Sequence, residues 1–413
     1  MITVESQPED FIPAYLYQNW IVSSDNTPQP NFKFIADVYI NGTYVTRLKR
    51  PSHPDFPSCL FDPHRIVESF VNHDVALTSG DGFYKNTQSY CRLQLSFGEE
   101  YGLDSSGVTV YPGLETSQLT YAYCSCPNSL DYMDYDGDFY LLKTIAKKFH
   151  HSFPIFYSGM RGCMVERNQN FFLHMATFTT NVIDKLVIIT YDEARVMIDE
   201  YQIDNPFVDI TGDYDSRFLR CPIGYNANDI DSMHITTGTQ PIFTDAVKYF
   251  KVYTVNTSAV RSSENLYFEL YDSCTVYDTF EIHWLDPLGG FNSFIFDHVH
   301  NENVKIERKQ YKKQIGEQFN NTLSIAKTDR GYQNYFTSLN SEIKVRSGWI
   351  TETQFTFLKT MKESPQIFLN SSGDLIAINI IDTDYEVKQV VNTNLINFEI
   401  TFKYSVNNYR QRY

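Results

Sequence analysis

Hydrophobic and polar residues alternate along many short segments of this chain. Residues 396–404 are the clearest example, with apolar side chains at Ile396, Phe398, Ile400, Phe402 and Tyr404. A period of two is typical of a β-strand that buries one face in an antiparallel sheet. Residues 32–40 repeat the alternation and lead into Asn41-Gly42, a dipeptide that favours a tight hairpin turn. The dominant pattern therefore predicts antiparallel β-structure.

Two segments have the pattern of short helices instead. Thr351 and Gln354 match a helix-capping box, in which each side chain can bind a backbone N–H group near the start of the helix. Leu358 and Met361 then fall on one face, and a proline follows where the helix should end. Asp62-Pro63 has the residue types of an N-cap and a first helical position, so a second short helix is expected after it.

The composition strengthens the expectation of a β-rich fold. The 413 residues include 30 Tyr and 31 Phe, which supply most of the 15% aromatic content, while only 20% of the residues are charged. Aromatic and β-branched residues favour pleated, half-buried surfaces. A chain of this length is too long for one ordinary core. We therefore predict a mainly β protein of two or three antiparallel β-sandwich or β-barrel modules with a few short helices.

Three modules are expected from the distribution of these patterns along the chain. Residues 1–123 are predicted to form an N-terminal arm followed by a β module. Residues 124–278 are predicted to form a β-rich middle module with long loops, because residues 209–240 are polar and rich in Gly and Asp. Residues 279–413 are predicted to form a C-terminal β module with one short helix.

The first 30 residues are predicted to be an extended arm, because prolines at positions 8, 13, 28 and 30 interrupt them. A segment of this kind buries too little apolar surface against itself to become ordered alone. We therefore expect it to lie on a neighbouring subunit or on the module that follows. Its large apolar side chains are typical interface anchors. The candidate assembly residues are Phe11, Tyr15, Tyr17 and Trp20.

Charge and cysteine content restrict the partners and the compartment. The formal net charge of −16 argues against a nucleic-acid-binding face, which needs clustered Lys and Arg. The densest basic run, residues 305–313, is interpreted as a solvated strand. No stretch approaches the ~20 apolar residues that cross a bilayer, and residues 1–10 lack the features of a secretory signal. The seven cysteines have no regular spacing, which predicts reduced thiols and no essential disulfide.

Candidate chemistry is sparse in this sequence. Residues 131–138 form a dense carboxylate cluster, but its spacing fails the calcium-loop pattern, so we interpret it as a solvated turn, with an irregular ion site as the alternative. Cys124 and Cys126 are one residue too close for a zinc or redox pair. His150-His151 lacks the glutamate of a zinc-protease helix and is interpreted as a pair of surface or loop histidines. We therefore predict no catalytic, cofactor-binding or metal-binding residues, and no enzymatic activity.

Four parts of the chain resemble structural proteins of tailed bacteriophages, particularly those infecting Bacteroidota-type hosts. They are Gln7-Pro8 with residues 30–40, residues 45–49 followed by 61–67, residues 280–291 with Trp284 and Gly289-Gly290, and the helix-and-strands unit 351–404. The resemblance covers both ends of the chain and leaves the middle unmatched. These motifs are architectural, so no catalytic residue is carried over from the family.

The resemblance implies a component of the phage tail, tail tip or baseplate, similar in role to distal-tail ring proteins. On that basis we expect a structural virion protein that is made in the host cytoplasm, forms a ring-shaped homo-oligomer and docks other tail or baseplate proteins. Two other functions stay open on the residues themselves. One is a receptor- or carbohydrate-binding tail appendage, because exposed Tyr and Phe can stack on sugars. The other is a cell-wall hydrolase, for which Asp134, Asp136 and Asp138 are the candidate carboxylates.

Overall fold

The fold is mainly β. The structure is a computed structural model, and it describes residues 1–409 except 74–76, 78–79, 103–106, 128–135, 154–162, 178–181, 209–213, 274–275, 330, 382–394 and 407. The protein is 51% strand and 9% helix, and its two α-helices are short. The predicted fold class is therefore confirmed. No sheet of the described residues closes into a barrel, which favours the sandwich alternative.

The chain divides into two compact units. The first comprises residues 1–272 and 284–293, and the second comprises residues 273–283 and 294–413. The expected boundary after residue 123 lies inside the first unit. One hydrophobic cluster explains why, because it joins Phe11 and Tyr121 of the predicted first module to Leu141 and Phe218 of the predicted middle module. Residues that share one core do not separate into two modules.

The described part of the first 123 residues forms ten strands and one short α-helix, which a 3-10 turn at Glu68–Phe70 extends. These elements are β1 (Ile2–Ser6), β2 (Phe11–Pro13), β3 (Trp20–Ser24), β4 (Lys33–Ile40), β5 (Thr43–Arg50), β6 (Ser58–Phe61), α1 (His64–Val67), β7 (Tyr84–Lys85), β8 (Tyr90–Tyr101), β9 (Thr109–Thr116) and β10 (Thr120–Tyr123). One sheet has the order β1-β3-β6, and another has the order β2-β10-β8-β4-β5 with β9 beside β8. Asn41 and Gly42 both have positive φ, as the predicted hairpin turn requires.

The N-terminal segment is not an extended arm. It forms β1, β2 and β3, which pair with β6 and β10 of the same chain. Phe11 is 2% exposed and Trp20 is 0% exposed. The expectation of an extended arm is therefore wrong, whereas the segment does lie on the module that follows it, which was one of its two expected partners. Backbone pairing with strands further along the chain supplies the order that its scattered apolar side chains could not supply alone.

The rest of the first unit contains two further sheets. Their strands are β11 (Leu141–Leu142), β12 (Cys163–Glu166), β13 (Phe172–Thr177), β14 (Ile183–Tyr191), β15 (Met197–Asp204), β16 (Phe218–Pro222), β17 (Ile235–Thr237), β18 (Tyr249–Asn256) and β19 (Leu266–Tyr271). The first sheet has the order β11-β13-β16-β7, and the second has the order β12-β19-β18-β14-β15-β17. Strand β7 comes from the predicted first module, which again ties residues 1–123 to the residues that follow.

The remaining elements form the longest sheet of the described chain. They are β20 (Phe280–Leu285), β21 (Phe291–Phe296), β22 (Asn301–Lys312), β23 (Glu317–Phe319), β24 (Thr322–Ser324), β25 (Tyr332–Thr351), α2 (Glu352–Glu363), β26 (Ile367–Ser371), β27 (Asp374–Ile380), β28 (Leu395–Tyr404) and β29 (Asn408–Tyr409). The sheet order is β21-β20-β26-β27-β28-β25-β22, with β29 beside β25 and a separate β23-β24 hairpin.

The two strongest sequence patterns are both confirmed in this part. In α2, the Thr351 hydroxyl accepts a hydrogen bond from the Gln354 N–H at 3.3 Å, and Leu358 and Met361 are buried. In β28, the alternating apolar side chains are buried, and the polar ones between them are more exposed. The buried residues are Ile396, Phe398, Ile400 and Phe402.

Candidate functional site

A long hairpin in the second unit extends beyond the main sheet. Strand β22 lies at the sheet edge, and all of its residues are exposed. It pairs with β25 along its length, as far as Lys312 opposite Tyr332. The other neighbour of β25, strand β28, pairs with it only from Glu342 onward. We call residues 301–340 the basic hairpin. From Val304 and Ser341 outward, only the two-residue strand β29 supplements its two long strands in the part of the chain that the structure describes.

The basic hairpin is long for a ribbon with so little support. The twelve residues of β22 span roughly 40 Å at about 3.3 Å per residue. A two-stranded ribbon is only marginally stable in water on its own. Exposed apolar surface marks an interaction site in many soluble proteins. Eight large hydrophobic side chains of the described part of the hairpin are more than two-fifths exposed, namely Val304, Ile306, Tyr311, Ile315, Leu323, Ile325, Tyr332 and Tyr335.

The strand register gives the hairpin one apolar face. Ile306 lies directly opposite Leu339, and Val304 lies opposite Ser341. Side chains opposite each other in an antiparallel pair share a face, and so do residues two apart along a strand. Val304, Ile306 and Leu339 therefore form one continuous apolar strip near the base of the ribbon.

The opposite face of the hairpin is charged, because Lys305, Glu307 and Lys309 alternate with the apolar residues along β22. Lys305 forms an ion pair with Glu342 at 2.7 Å, and the Lys309 ammonium lies 5.4 Å from the centroid of the Phe336 ring. Residues 301–340 hold seven Lys or Arg and four Asp or Glu, so their formal charge is +3 and the rest of the chain carries −19. Lysines on an edge strand discourage the addition of another strand. Docking through the faces of the hairpin is therefore favoured over docking through its edge.

The four residues predicted to anchor assembly occupy different environments. Phe11 and Trp20 are buried in the first unit, so they present no surface to a partner. Tyr15 is half-buried, and its hydroxyl accepts a hydrogen bond from the Cys124 thiol at 3.9 Å. Tyr17 is 61% exposed and packs edge-on against the His64 ring. A role for Tyr15 and Tyr17 in assembly stays a prediction.

A cluster of four buried histidines lies in the first unit. It consists of His73, His150, His151 and His174, each of them less than a tenth exposed. Of the two interpretations of His150-His151, the surface position is wrong and the loop position is confirmed, because both residues lie in a loop that is buried. The flanking Phe149 and Phe153 are also buried. These apolar neighbours were the feature of the sequence that could have predicted buried histidines.

Hydrogen bonds fix the neutral form of His151. Its Nε2 accepts a hydrogen bond from the His174 backbone N–H at 2.8 Å, so its proton is on Nδ1, which donates to Asn292 Oδ1 at 2.6 Å. His73 Nε2 donates to the Gly289 carbonyl at 2.7 Å. The rings therefore hold the buried turn at residues 286–290 in place.

Burial determines how this cluster ionises. It lowers the pKa of His150 and of His151 to about 3 and holds the pKa of His174 well below its usual range. Burial also raises the pKa of Asp286, although the Ser152 and Leu288 N–H groups donate to its carboxylate. Perturbed groups of this kind often mark active sites. Here the paired ring nitrogens bind the protein's own backbone and amide groups, which is a structural role.

Two clusters of acidic residues are further candidates for a functional site among the described residues. In the carboxylate cluster, Asp138 is paired with Lys143 and Lys147, whereas Asp134 lies outside the described residues. Asp81, Asp231 and His234 bring ligand atoms within 4.8 Å of one another and could hold a metal ion. Both aspartates of that group are exposed, and exposed carboxylates are common at turns, so the group receives no functional assignment.

Comparison with models of protein families and with curated proteins finds no match for this chain. Neither α-helix of the described residues has the length and apolar character needed to cross a membrane. The likeness to phage tail proteins therefore depends on the sequence motifs alone.

Proposed function

We propose that the protein is a structural subunit of a tailed-phage virion, located in the tail, the tail tip or the baseplate. It works by oligomerising and by docking neighbouring tail components. The observation that carries this proposal is the basic hairpin, whose apolar strip and exposed strand have no covering element among the described residues. The resemblance of both ends of the chain to phage tail proteins supports the same function.

The charge distribution suggests how copies would join. A hairpin of charge +3 and a remaining surface of charge −19 attract each other when they belong to different copies. Such a contact joins two different surfaces, and a head-to-tail contact closes into a ring when its rotation allows. The apolar strip at Val304 and Ile306 would supply the buried area, and the lysines would guide the approach.

A hairpin-shortened variant tests this proposal. Residues 305–340 are replaced by Asn-Gly, which joins Val304 to its cross-strand partner Ser341 through a two-residue turn. We expect the full chain to form oligomers in light scattering and rings in electron micrographs, and the variant to remain a folded monomer. The matched point variants are Ile306→Lys on the apolar strip and Val260→Lys at an exposed position of the first unit. Only the first should weaken the oligomer.

Two results would contradict the proposal. One is a full chain that stays monomeric at every concentration and in the presence of other tail proteins. The other is an oligomer that survives the shortening of the hairpin unchanged. In the hydrolase alternative, Asp138 would act in the cleft that it shares with Glu9 and Asp10. Its carboxylate is paired with Lys143 and Lys147, which favours the structural role over catalysis. The carbohydrate-binding alternative has a separate structural basis.

A further inference from the structure

A cleft on the sheet that contains β14, β18 and β19 is lined by aromatic rings and cations. Tyr191, Tyr249 and Tyr267 line it together with Arg195 and Lys251, and its volume is about 280 Å³. Clefts for small molecules usually measure about 300–1,000 Å³. This cleft therefore has room for one ring-sized group rather than for a long segment of chain.

The strand register places these side chains on one face. Tyr191 is paired with Tyr249, and Lys251 is paired with Tyr267. Residues opposite each other, and residues two apart along a strand, share a face of the sheet. Tyr267 is 44% exposed, so this face is open to solvent there. Strand β18 is paired with β14 on one side and β19 on the other, so the cleft offers side chains to a ligand and few backbone groups.

Arg195 is held at the cleft by an unusual backbone. It lies in the turn between β14 and β15, and its φ is +65°. This left-handed conformation is uncommon for a residue with a side chain, and it recurs where a residue has a function. The turn is fixed by hydrogen bonds to Asp192, from the Arg195 N–H at 3.0 Å and from the Val196 N–H at 2.7 Å. The guanidinium lies 5.3 Å from the centroid of the Tyr249 ring.

Lys251 is a second cation at this site. Its ammonium lies 5.5 Å from the centroid of the Tyr253 ring. Glu269 lies opposite Tyr249 on the same face, 4.0 Å from the Lys248 ammonium. Glu200 lies opposite Ile189, but neither carboxylate lines the cleft. The two cations that do line it favour a carboxylate ligand, which a guanidinium can bind through two hydrogen bonds. The tyrosine rings offer flat apolar faces, and their hydroxyls donate and accept hydrogen bonds. A ligand that matches all of these groups has an anionic group, a flat C–H face and hydroxyls.

We propose that this cleft binds a carboxylate-bearing sugar ring of an acidic glycan. An acidic peptide fits less well, because peptides are usually bound through free backbone groups at a sheet edge, and β18 is an interior strand. Nucleic acid fits less well, because the chain carries a net charge of −16. This binding function goes beyond assembly and does not depend on it.

Binding of a galacturonic acid oligosaccharide and of its methyl ester tests the proposal. The ester keeps the ring faces and hydroxyls but loses the charge. We expect the acid to bind the full chain in calorimetric titrations and the ester to bind at least ten-fold more weakly. Binding of the acid should also weaken with salt, as contacts between exposed charges do.

Arg195→Gly separates binding from folding. Glycine adopts positive φ without strain, so this variant should melt at the same temperature as the unchanged protein or higher, while acid binding falls at least ten-fold. Tyr249→Ala should show the same loss of binding. The matched control is Lys185→Ala, which removes a cation from the same face of β14, six residues from Tyr191 along the strand.

Four outcomes would overturn the proposal. The first is equal binding of the acid and the ester, and the second is no binding of either to the unchanged protein at millimolar concentration. Arg195→Gly binds the acid as tightly as the unchanged protein does. A polyglutamate peptide binds more tightly than the sugar acid and loses its affinity in Arg195→Gly, which would assign the cleft to acidic peptides.

Discussion

Mild acid should unfold the first unit, because its buried histidines are neutral in the folded state. Burial lowers the pKa of His150 and His151 from 6.5 to about 3, and it also lowers that of His174. In the unfolded chain the same rings take up protons near pH 6.5. The unfolded state therefore binds more protons between pH 6.5 and 3, and the free energy of unfolding falls as the pH falls through that window.

The expected slope is steep. Each histidine of this kind contributes about 1.4 kcal/mol per pH unit, so the three together contribute about 4 kcal/mol per unit. The raised pKa of Asp286 acts in the opposite direction, because the folded state gains its proton first as the pH falls. Burial also raises the pKa of Glu264 and of Glu9 in the same unit, so these carboxyls reduce the slope further. With the offset of one carboxyl, a fall of two pH units should lower the free energy of unfolding by about 6 kcal/mol, which is comparable with the whole stability of a domain at the lower end of the usual range of about 5–15 kcal/mol.

His150→Phe is the variant that tests this reasoning. The His150 ring lies among the rings of Phe11, Tyr123 and Tyr140. Its Nε2 has no hydrogen-bond partner among the described residues, so the substitution removes only the hydrogen bond that Nδ1 donates to the Leu288 carbonyl at 3.3 Å. A phenyl ring should therefore fit at a cost of about 1 kcal/mol at pH 7, since it replaces a ring of similar shape. It removes one titrating group, so the slope should fall from about 4 to about 3 kcal/mol per pH unit.

Urea denaturation followed by tryptophan fluorescence at pH 7, 6, 5.5 and 5 measures both slopes. A free energy of unfolding that stays constant over this range would show that the histidines are not held neutral by the fold. An unchanged slope in His150→Phe, with the fold intact at pH 7, would show that His150 does not contribute to it.

Three further predictions concern the first unit and the thiols. Deleting residues 1–30 should abolish cooperative unfolding of the first unit in circular dichroism melts, because it removes β1 to β3 and the buried Trp20; a retained transition would restore the arm interpretation. Gly290→Ala should lower the free energy of unfolding by about 3 kcal/mol, because the new Cβ would lie 2.1 Å from the His150 carbonyl oxygen. The control is Gly80→Ala, which should change the free energy of unfolding little, because the nearest atom to its new Cβ is 3.9 Å away. A thiol reagent at pH 8 should modify Cys126 before the other described cysteines, because Cys126 is exposed whereas the others are buried. Burial raises the pKa of Cys91 and of Cys163 to about 12, so few of these thiols are ionised at pH 8. Equal rates of modification for all cysteines would show that the buried ones are accessible.

Local patterns in the sequence predicted local structure well. The alternation at residues 396–404 and the capping residues Thr351 and Gln354 both correspond to what forms, because each depends on residues close in sequence. The same holds for Asn41-Gly42, where two residues determine the turn. The basic run at residues 305–313 is solvated, as predicted, but its position on a long two-stranded ribbon was not visible in the sequence.

Long-range pairing was the part that the sequence did not reveal. Strand β2 runs parallel to β10, and no local pattern in residues 1–30 indicates a partner more than a hundred residues away. The buried histidines were missed for the same reason. His73 binds the Gly289 carbonyl, 216 residues further along the chain. The tyrosine cleft likewise depends on the register of three strands, which the composition of the chain does not fix.

The position of residues 284–293 in the sequence limits when the first unit can fold during synthesis. Residues 284–293 belong to the same unit as residues 1–272, so a nascent chain cannot complete this core until residue 293 has left the ribosome. Domains usually fold as units during synthesis, and contacts between residues far apart in sequence form slowly. Until then His73 and His151 lack their partners at Gly289 and Asn292. A translation arrest anywhere before residue 293 would release a chain with an open polar core, and we expect such fragments to need chaperones or to aggregate.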